Sequence, residues 1–165
     1  MATSDAVARE AAWLQTSGDG PPALLVAAGG PFEVVQAYWP GAKFAQRKSG
    51  VYVQRRRTLM PRFGGRRIMP GYVFVLKVCW PVKSTAAGFP ETEQQNLDSA
   101  VDLLLQRIDG LPGDKTHGGR FLSAGEAPQG QYPEVEYQDA EITLAQGNWL
   151  RATVTYPADD QELLG

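Results

Sequence analysis

Apolar positions recur along this chain with two different periods. Between Pro90 and Gly110, Leu97, Ala100, Val101, Leu104, Leu105 and Ile108 fall at i, i+3, i+4, i+7, i+8 and i+11, a single helical face. Glu91 and Glu93 in its first turn, Arg107 in its last and Gly110 just beyond suit the helix dipole and a C-terminal stop. A shorter stripe of Val7, Ala11 and Leu14, capped by Ser4 or Asp5 and stopped by Gly18, predicts an N-terminal helix. Strands are predicted at Phe32–Trp39, between Pro31 and Pro40-Gly41, and at Val51–Thr58, where Val51 and Val53 share a face opposite Tyr52. Tyr72–Val82 is almost continuously apolar apart from Lys77, the pattern of a central strand covered on both faces. Ala140–Leu144 and Trp149–Tyr156 read as two strands around a Gln146-Gly147-Asn148 turn, with Leu150, Ala152 and Val154 on the buried side. Ala23–Ala28 is a short apolar run that periodicity does not classify. The sum is an α+β fold: a four- to five-stranded, largely antiparallel sheet packed by one long amphipathic helix and an N-terminal helix.

With 165 residues the chain is expected to form a single domain, residues 1–165. Its 18 glycines and 12 prolines gather between apolar segments, which predicts structured loops at about 58–70 and 111–133 and no low-complexity tail. Cys79 is the only cysteine, so no intramolecular disulfide and no ordinary cysteine metal site can form, and a reducing compartment is expected. Asp5, Arg9, Glu10 and Asp19 near the start argue against a signal peptide, and no apolar run reaches the roughly 18 residues of a membrane span.

Charge changes the picture more than composition does. The net charge of −2 conceals three blocks. Residues 1–39 carry −3, residues 40–90 carry +11 with no Asp or Glu at all, and residues 91–165 carry −10. The arginine triplet Arg55, Arg56, Arg57 ends a predicted strand, and Arg62, Arg66 and Arg67 follow in the next loop. Such a cluster attracts nucleic-acid phosphate, and Tyr52 and Phe63 among the arginines suit base stacking. It equally suits pairing with the acidic block, within or between subunits, and the sequence pI of 5.4 favours that second use.

Candidate chemistry is sparse. His117 is the only histidine; Thr116 and Ser123 are its nearby hydroxyls and Asp114 its nearby carboxylate, without any G-x-S-x-G elbow. The glycine pairs in Phe63-Gly64-Gly65-Arg66-Arg67 and Thr116-His117-Gly118-Gly119-Arg120 do not fit a phosphate-binding loop and read as turns needing positive φ. Glu134, Glu136, Asp139 and Glu141 lie close together, but alternating acids on an edge strand form a solvated face. No catalytic residue, cofactor or metal ligand is assigned. Arg55, Arg56, Arg57, Arg62, Arg66, Arg67, His117 and Arg120 are the candidate subunit-interface or channel-facing residues.

Three segments carry a family resemblance: Glu91–Gly110 (ETEQQNLDSAVDLLLQRIDG), Asp114–Phe121 (DKTHGGRF) and Leu150–Asp160 (LRATVTYPADD). Together they resemble the tail terminators of long-tailed, siphovirus-type phages of actinobacteria, over most of residues 30–160. The resemblance implies an α/β protomer in a hexameric ring that caps the tail tube, stops polymerisation of the major tail protein and joins the tail to the head connector. It implies no enzymatic activity and no cofactor. Implied partners are further copies of the chain, the major tail tube protein, the head–tail connector protein and, transiently, genomic DNA in the channel. The implied location is the head-proximal end of the virion tail, assembled in the host cytoplasm. A head-completion or stopper-type connector of the same module, and a standalone nucleic-acid-binding protein, are the competing expectations.

Overall fold

The computed structural model describes residues 3–16, 22–60, 62–63, 67–83, 88–109, 115–125, 133–160 and 163–164. A 3₁₀ turn at Thr3–Asp5 leads into helix α1 (Ala6–Gln15), and a second 3₁₀ turn, Val26–Ala28, precedes strand β1 (Val34–Ala37). Then come the short helix α2 (Ala42–Ala45) and strands β2 (Gly50–Leu59), β3 (Arg62–Phe63), β4 (Arg67–Ile68) and β5 (Gly71–Pro81). Helix α3 (Phe89–Asp109) follows, and after it β6 (Ser123–Ala124), β7 (Glu134–Tyr137), α4 (Ala140–Gly147), β8 (Trp149–Asp159) and β9 (Leu163–Leu164).

The main sheet has the order β1-β2-β5-β8, with β6 and β7 pairing successive parts of the far side of β8. Among the described strands of this sheet, only the β1–β2 pair is parallel. β5 occupies the centre, paired with β2 from Gly71 to Cys79 and with β8 along its full length. Its side chains alternate as its position demands: Tyr72, Phe74, Leu76 and Val78 are buried on one face, Val75 and Cys79 on the other. The fold is thus α+β as the periodicity predicts, with a mixed sheet, a long helix and an N-terminal helix.

One sheet face carries the main core. Leu97, Ala100, Val101, Leu104 and Ile108 of α3 and Val7, Ala11 and Leu14 of α1 meet Val51, Val53, Phe74, Leu76, Ala152, Val154 and Tyr156. Among the described residues, the other face is covered only at one end, where Ala45, Tyr52, Cys79 and Trp149 pack with Val34 and Trp39. Among the described residues, no helix is long and apolar enough to cross a membrane.

Three local expectations change. Ala140–Leu144 is helical, not a strand: Asp139 caps α4, its Oδ1 accepting from the Glu141 N–H at 2.9 Å. The Gln146-Gly147-Asn148 turn is the end of that helix, with Asn148 in the left-handed conformation at φ 55°. Burial there does not alternate as in a half-buried strand: Glu141 and Ile142 are both exposed and Thr143 is buried. Secondly, the loop expected at 58–70 contains the paired strands β3 and β4, and β9 adds to β4. Thirdly, the expected strand Phe32–Trp39 is shorter, because Tyr38 turns to φ 68° and ends β1.

Replacing Leu104, wholly buried between α3 and the sheet, tests this packing. Leu104→Ala is expected to cost about 3 kcal/mol of unfolding free energy, while the exposed Asp102→Ala stays within about 0.5 kcal/mol, both read from urea denaturation.

Candidate functional site

The open part of the sheet is built from side chains that the pleat turns away from the main core. Cross-strand rows run Gln54–Val75–Thr155–Glu134 and Tyr52–Lys77–Thr153–Glu136. Between Arg55 and Arg57 the register with β5 shifts, leaving Arg56 as the extra residue of a bulge. Arg55 stands opposite the core residue Phe74, and its guanidinium lies over the Tyr72 ring, 5.6 Å from the centroid. Arg56 and Arg57 are exposed on the open face. There they line, with Val73, Glu134 and Thr155, a depression of about 320 Å³. A second depression of about 450 Å³ joins Gln54, Arg56 and Lys77 to Glu136, Thr153 and Thr155. The uncovered face therefore runs from cationic at β2 through threonines on β8 to anionic at β7.

The other predicted arginines divide. Arg62 and Arg67 lie in the paired strands β3 and β4, at positions opposite Ile68 and Phe63, in a small sheet that β9 joins and that is separate from the main one. Arg66 lies outside the described residues. His117 and Arg120 belong elsewhere in the molecule, against α1.

His117 is wholly buried, and this corrects its expected place at a subunit or channel surface. Thr116-His117-Gly118-Gly119 forms a tight turn in which His117, Gly118 and Gly119 take φ of 50°, 68° and 79°. A Cβ on Gly118 would meet only the movable end of Arg120, Nη1 at 2.8 Å, and Trp13 Cδ1 at an ordinary 3.4 Å, so it is the φ of 68° that calls for glycine here. The turn drives the imidazole inward. It stacks on Trp13 with centroids 3.6 Å apart and planes 6° from parallel. Nδ1 lies 2.8 and 3.0 Å from the two carboxylate oxygens of Glu10, and Nε2 lies 2.8 Å from the Ile108 carbonyl oxygen. A carbonyl only accepts, so Nε2 carries a proton, and one further proton is shared between Nδ1 and the buried Glu10.

A cationic pair completes this junction. Arg107 is buried; its Nη2 donates to the Trp13 carbonyl at 2.6 Å and to Thr16 Oγ1, and its guanidinium lies 4.4 Å from the Trp13 ring centroid. Burial lowers the Arg107 pKa, Glu10 opposes that, and Arg120 adds to it. Arg9 donates to the Arg120 carbonyl at 2.6 Å and to Asp160 Oδ2 at 2.7 Å, and Asp160 Oδ2 also accepts from the Tyr72 hydroxyl at 2.6 Å. Arg120 is part-buried and closes the turn, its Nη1 3.5 Å from the His117 carbonyl oxygen.

Glu10 and Arg107 escape a reading that seeks polar residues in polar places. Both had a signal. Glu10 shares the stripe of Val7, Ala11 and Leu14, and Arg107 sits i+3 from Leu104 and i+7 from Ala100, at the margin of the apolar face. The histidine-centred arrangement locks α1, the end of α3 and the 115–125 turn together, whereas the charged sheet face is open to a partner. A scan against protein-family models gives no match, and a search of curated proteins finds no significant relative.

Two measurements follow. His117→Ala would leave the Glu10 carboxylate buried without its partner and is expected to cost about 3–5 kcal/mol, with a double-mutant cycle through Glu10→Gln isolating the pair. Stability should also fall in alkali. Burial pushes Cys79 and Tyr52 up to about 12 and raises Tyr72 and Tyr156 as well; Asp160 adds to the shift at Tyr72 and Glu10 to that at Tyr156. Above about pH 9–10 the unfolded chain releases protons that the folded chain retains, so unfolding free energy decreases as pH rises toward the folded values. Urea midpoints measured from neutral to alkaline pH, with phenolate absorbance lagging behind that of the unfolded chain, check the sign.

Proposed function

We propose that the chain is a structural virion protein of the tail-terminator type, forming a ring that caps the phage tail tube and joins it to the head connector. The observation that carries the reading is the charge layout of the sheet. Arg56 and Arg57 stand exposed at the β2 margin, and Glu134 and Glu136 stand exposed at the β7 margin. A surface that is basic at one side and acidic at the other favours head-to-tail contact between identical subunits, which is the geometry of a ring. The resemblance of residues 91–110, 114–121 and 150–160 to tail terminators supplies the biological setting. A connector of the same module would use the same layout and differ in whether it meets the portal or the tail tube.

The arginines support a second reading, a nucleic-acid-binding protein, because Arg56 and Arg57 are exposed side by side on β2 and Arg62, Arg66 and Arg67 follow closely in sequence. Binding of duplex DNA that falls steeply with salt, with no self-association, would favour it.

The terminator reading is tested with major tail protein. Native mass spectrometry of the chain, alone and on tubes, is expected to give a species of six copies of the 18.0 kDa chain. Added during tube growth, the chain should narrow tube lengths under electron microscopy. A chain that remains monomeric and leaves tube lengths unchanged would defeat the proposal.

A further inference from the structure

We infer that successive copies join edge to edge, the uncovered stretch of β2 in one copy pairing antiparallel with β7 of the next. The inference rests on the oligomeric reading above and names its contact. β1 covers β2 only from Gly50 to Val53, and among the described residues no strand lies beside Gln54–Leu59 on that side. β7 pairs with β8, and among the described residues no strand pairs with its other side. An uncovered strand edge presents backbone donors and acceptors in register for a further strand.

Charge selects which edges meet. Exposed Arg56 and Arg57 mark one edge, and exposed Glu134 and Glu136 mark the other. Two β2 edges brought together oppose arginine with arginine, and two β7 edges oppose glutamate with glutamate. Only the unlike pairing is attractive, so the charges that guard each edge against its own kind direct it to the other. Arg55, already over Tyr72, is not required.

Strand direction agrees. β2 to β5, β5 to β8 and β8 to β7 are three antiparallel steps, so β7 runs opposite to β2. A copy displaced across the sheet therefore offers its β2 antiparallel to β7. Through the cross-strand rows, β7 is level with Val51–Gln54 of its own β2, where the next copy's β1 would obstruct. Neighbouring copies must slide by about four residues, roughly 13 Å, for each step of about 19 Å across the strands. Those two lengths incline the strands by about 35° to the axis of a closed ring, within the tilt that closed sheets adopt. The contact uses two different patches, so it propagates beyond a dimer until it closes.

Two charge-reversed chains test this: Arg56→Glu with Arg57→Glu, which is acidic at both edges, and Glu134→Lys with Glu136→Lys, which is basic at both. All four positions are exposed, and thermal unfolding confirms that each variant is folded. Native mass spectrometry and sedimentation velocity are run on wild type, each variant and their equimolar mixture, with tail tubes added where wild type needs them to assemble. Each variant alone is expected to associate at least about tenfold more weakly than wild type. Their mixture is expected to regain assemblies larger than dimers, with the two chains alternating in equal number. If either variant alone assembles like wild type, or the mixture stays monomeric or stops at a one-to-one dimer, the edge pairing is wrong and the ring reading stands. Wild type that never self-associates, alone or on tubes, removes both.

Discussion

β5 gives its backbone hydrogen bonds to β2 on one side and β8 on the other, so the centre of the sheet has no open edge. Unpaired backbone groups in that position would be buried without water, and the long apolar run of β5 is tolerable only because both ladders are made. With the centre filled, the remaining strands go to the margins. The chain before β5 is basic and the chain after α3 is acidic, so filling the centre also sorts the charge: β2 carries the arginines to one margin and β7 the glutamates to the other. The electrostatic asymmetry of the surface is thus a consequence of strand order, and it needs no special loop to create it.

The helical layer is fixed by a different kind of contact. α1 is short and its apolar stripe narrow, and its burial against the sheet is supplemented by Glu10 on His117 and Arg9 on Asp160. These reach across 107 and 151 residues of sequence. Charged pairs in such places contribute less to net stability than their geometry suggests, because both partners lose water. What they do is make one arrangement of α1, α3 and the 115–125 turn far better than its neighbours, since a shifted helix would strand a charge in the core. The stacked His117 and Trp13 rings add a planar contact that tolerates little sliding.

Long periodic segments were legible from sequence. α3 and β5 lie within a residue of where periodicity puts them, and the opposite burial of Val51 and Tyr52 follows from alternation alone. Short segments were not. Ala140–Leu144 contains residues acceptable to both helix and strand, and the deciding feature is a single cap at Asp139, a local hydrogen bond that outweighs a weak pattern. Of the candidate surface residues, Arg56 and Arg57 were readable because a charged residue near a strand end has few places to go but solvent. His117 was not. Its burial depends on Glu10 waiting for it, and nothing between residues 10 and 117 announces that pairing. Glu134 and Glu136 read as a plain solvated face and became informative only when strand order set them opposite the arginines.

The bulge at Arg56 makes β2 a matter of counting. Before it, odd-numbered residues from Val51 face the main core; after it, Arg57 stands opposite Val73 on the open face and Thr58 opposite the buried Tyr72. The extra residue reverses the parity of everything that follows in the strand. The arginine triplet therefore holds one residue more than the ladder pairs. Losing any one of the three leaves a regular ladder in which the residue before Thr58 still stands opposite Val73 and Thr58 opposite Tyr72, so the end of the strand keeps its facing. What the extra residue adds is a second cation beside Arg57 on the open face. Among chains sharing this fold, a strand one residue shorter at this point should keep its pairing and lose one charge.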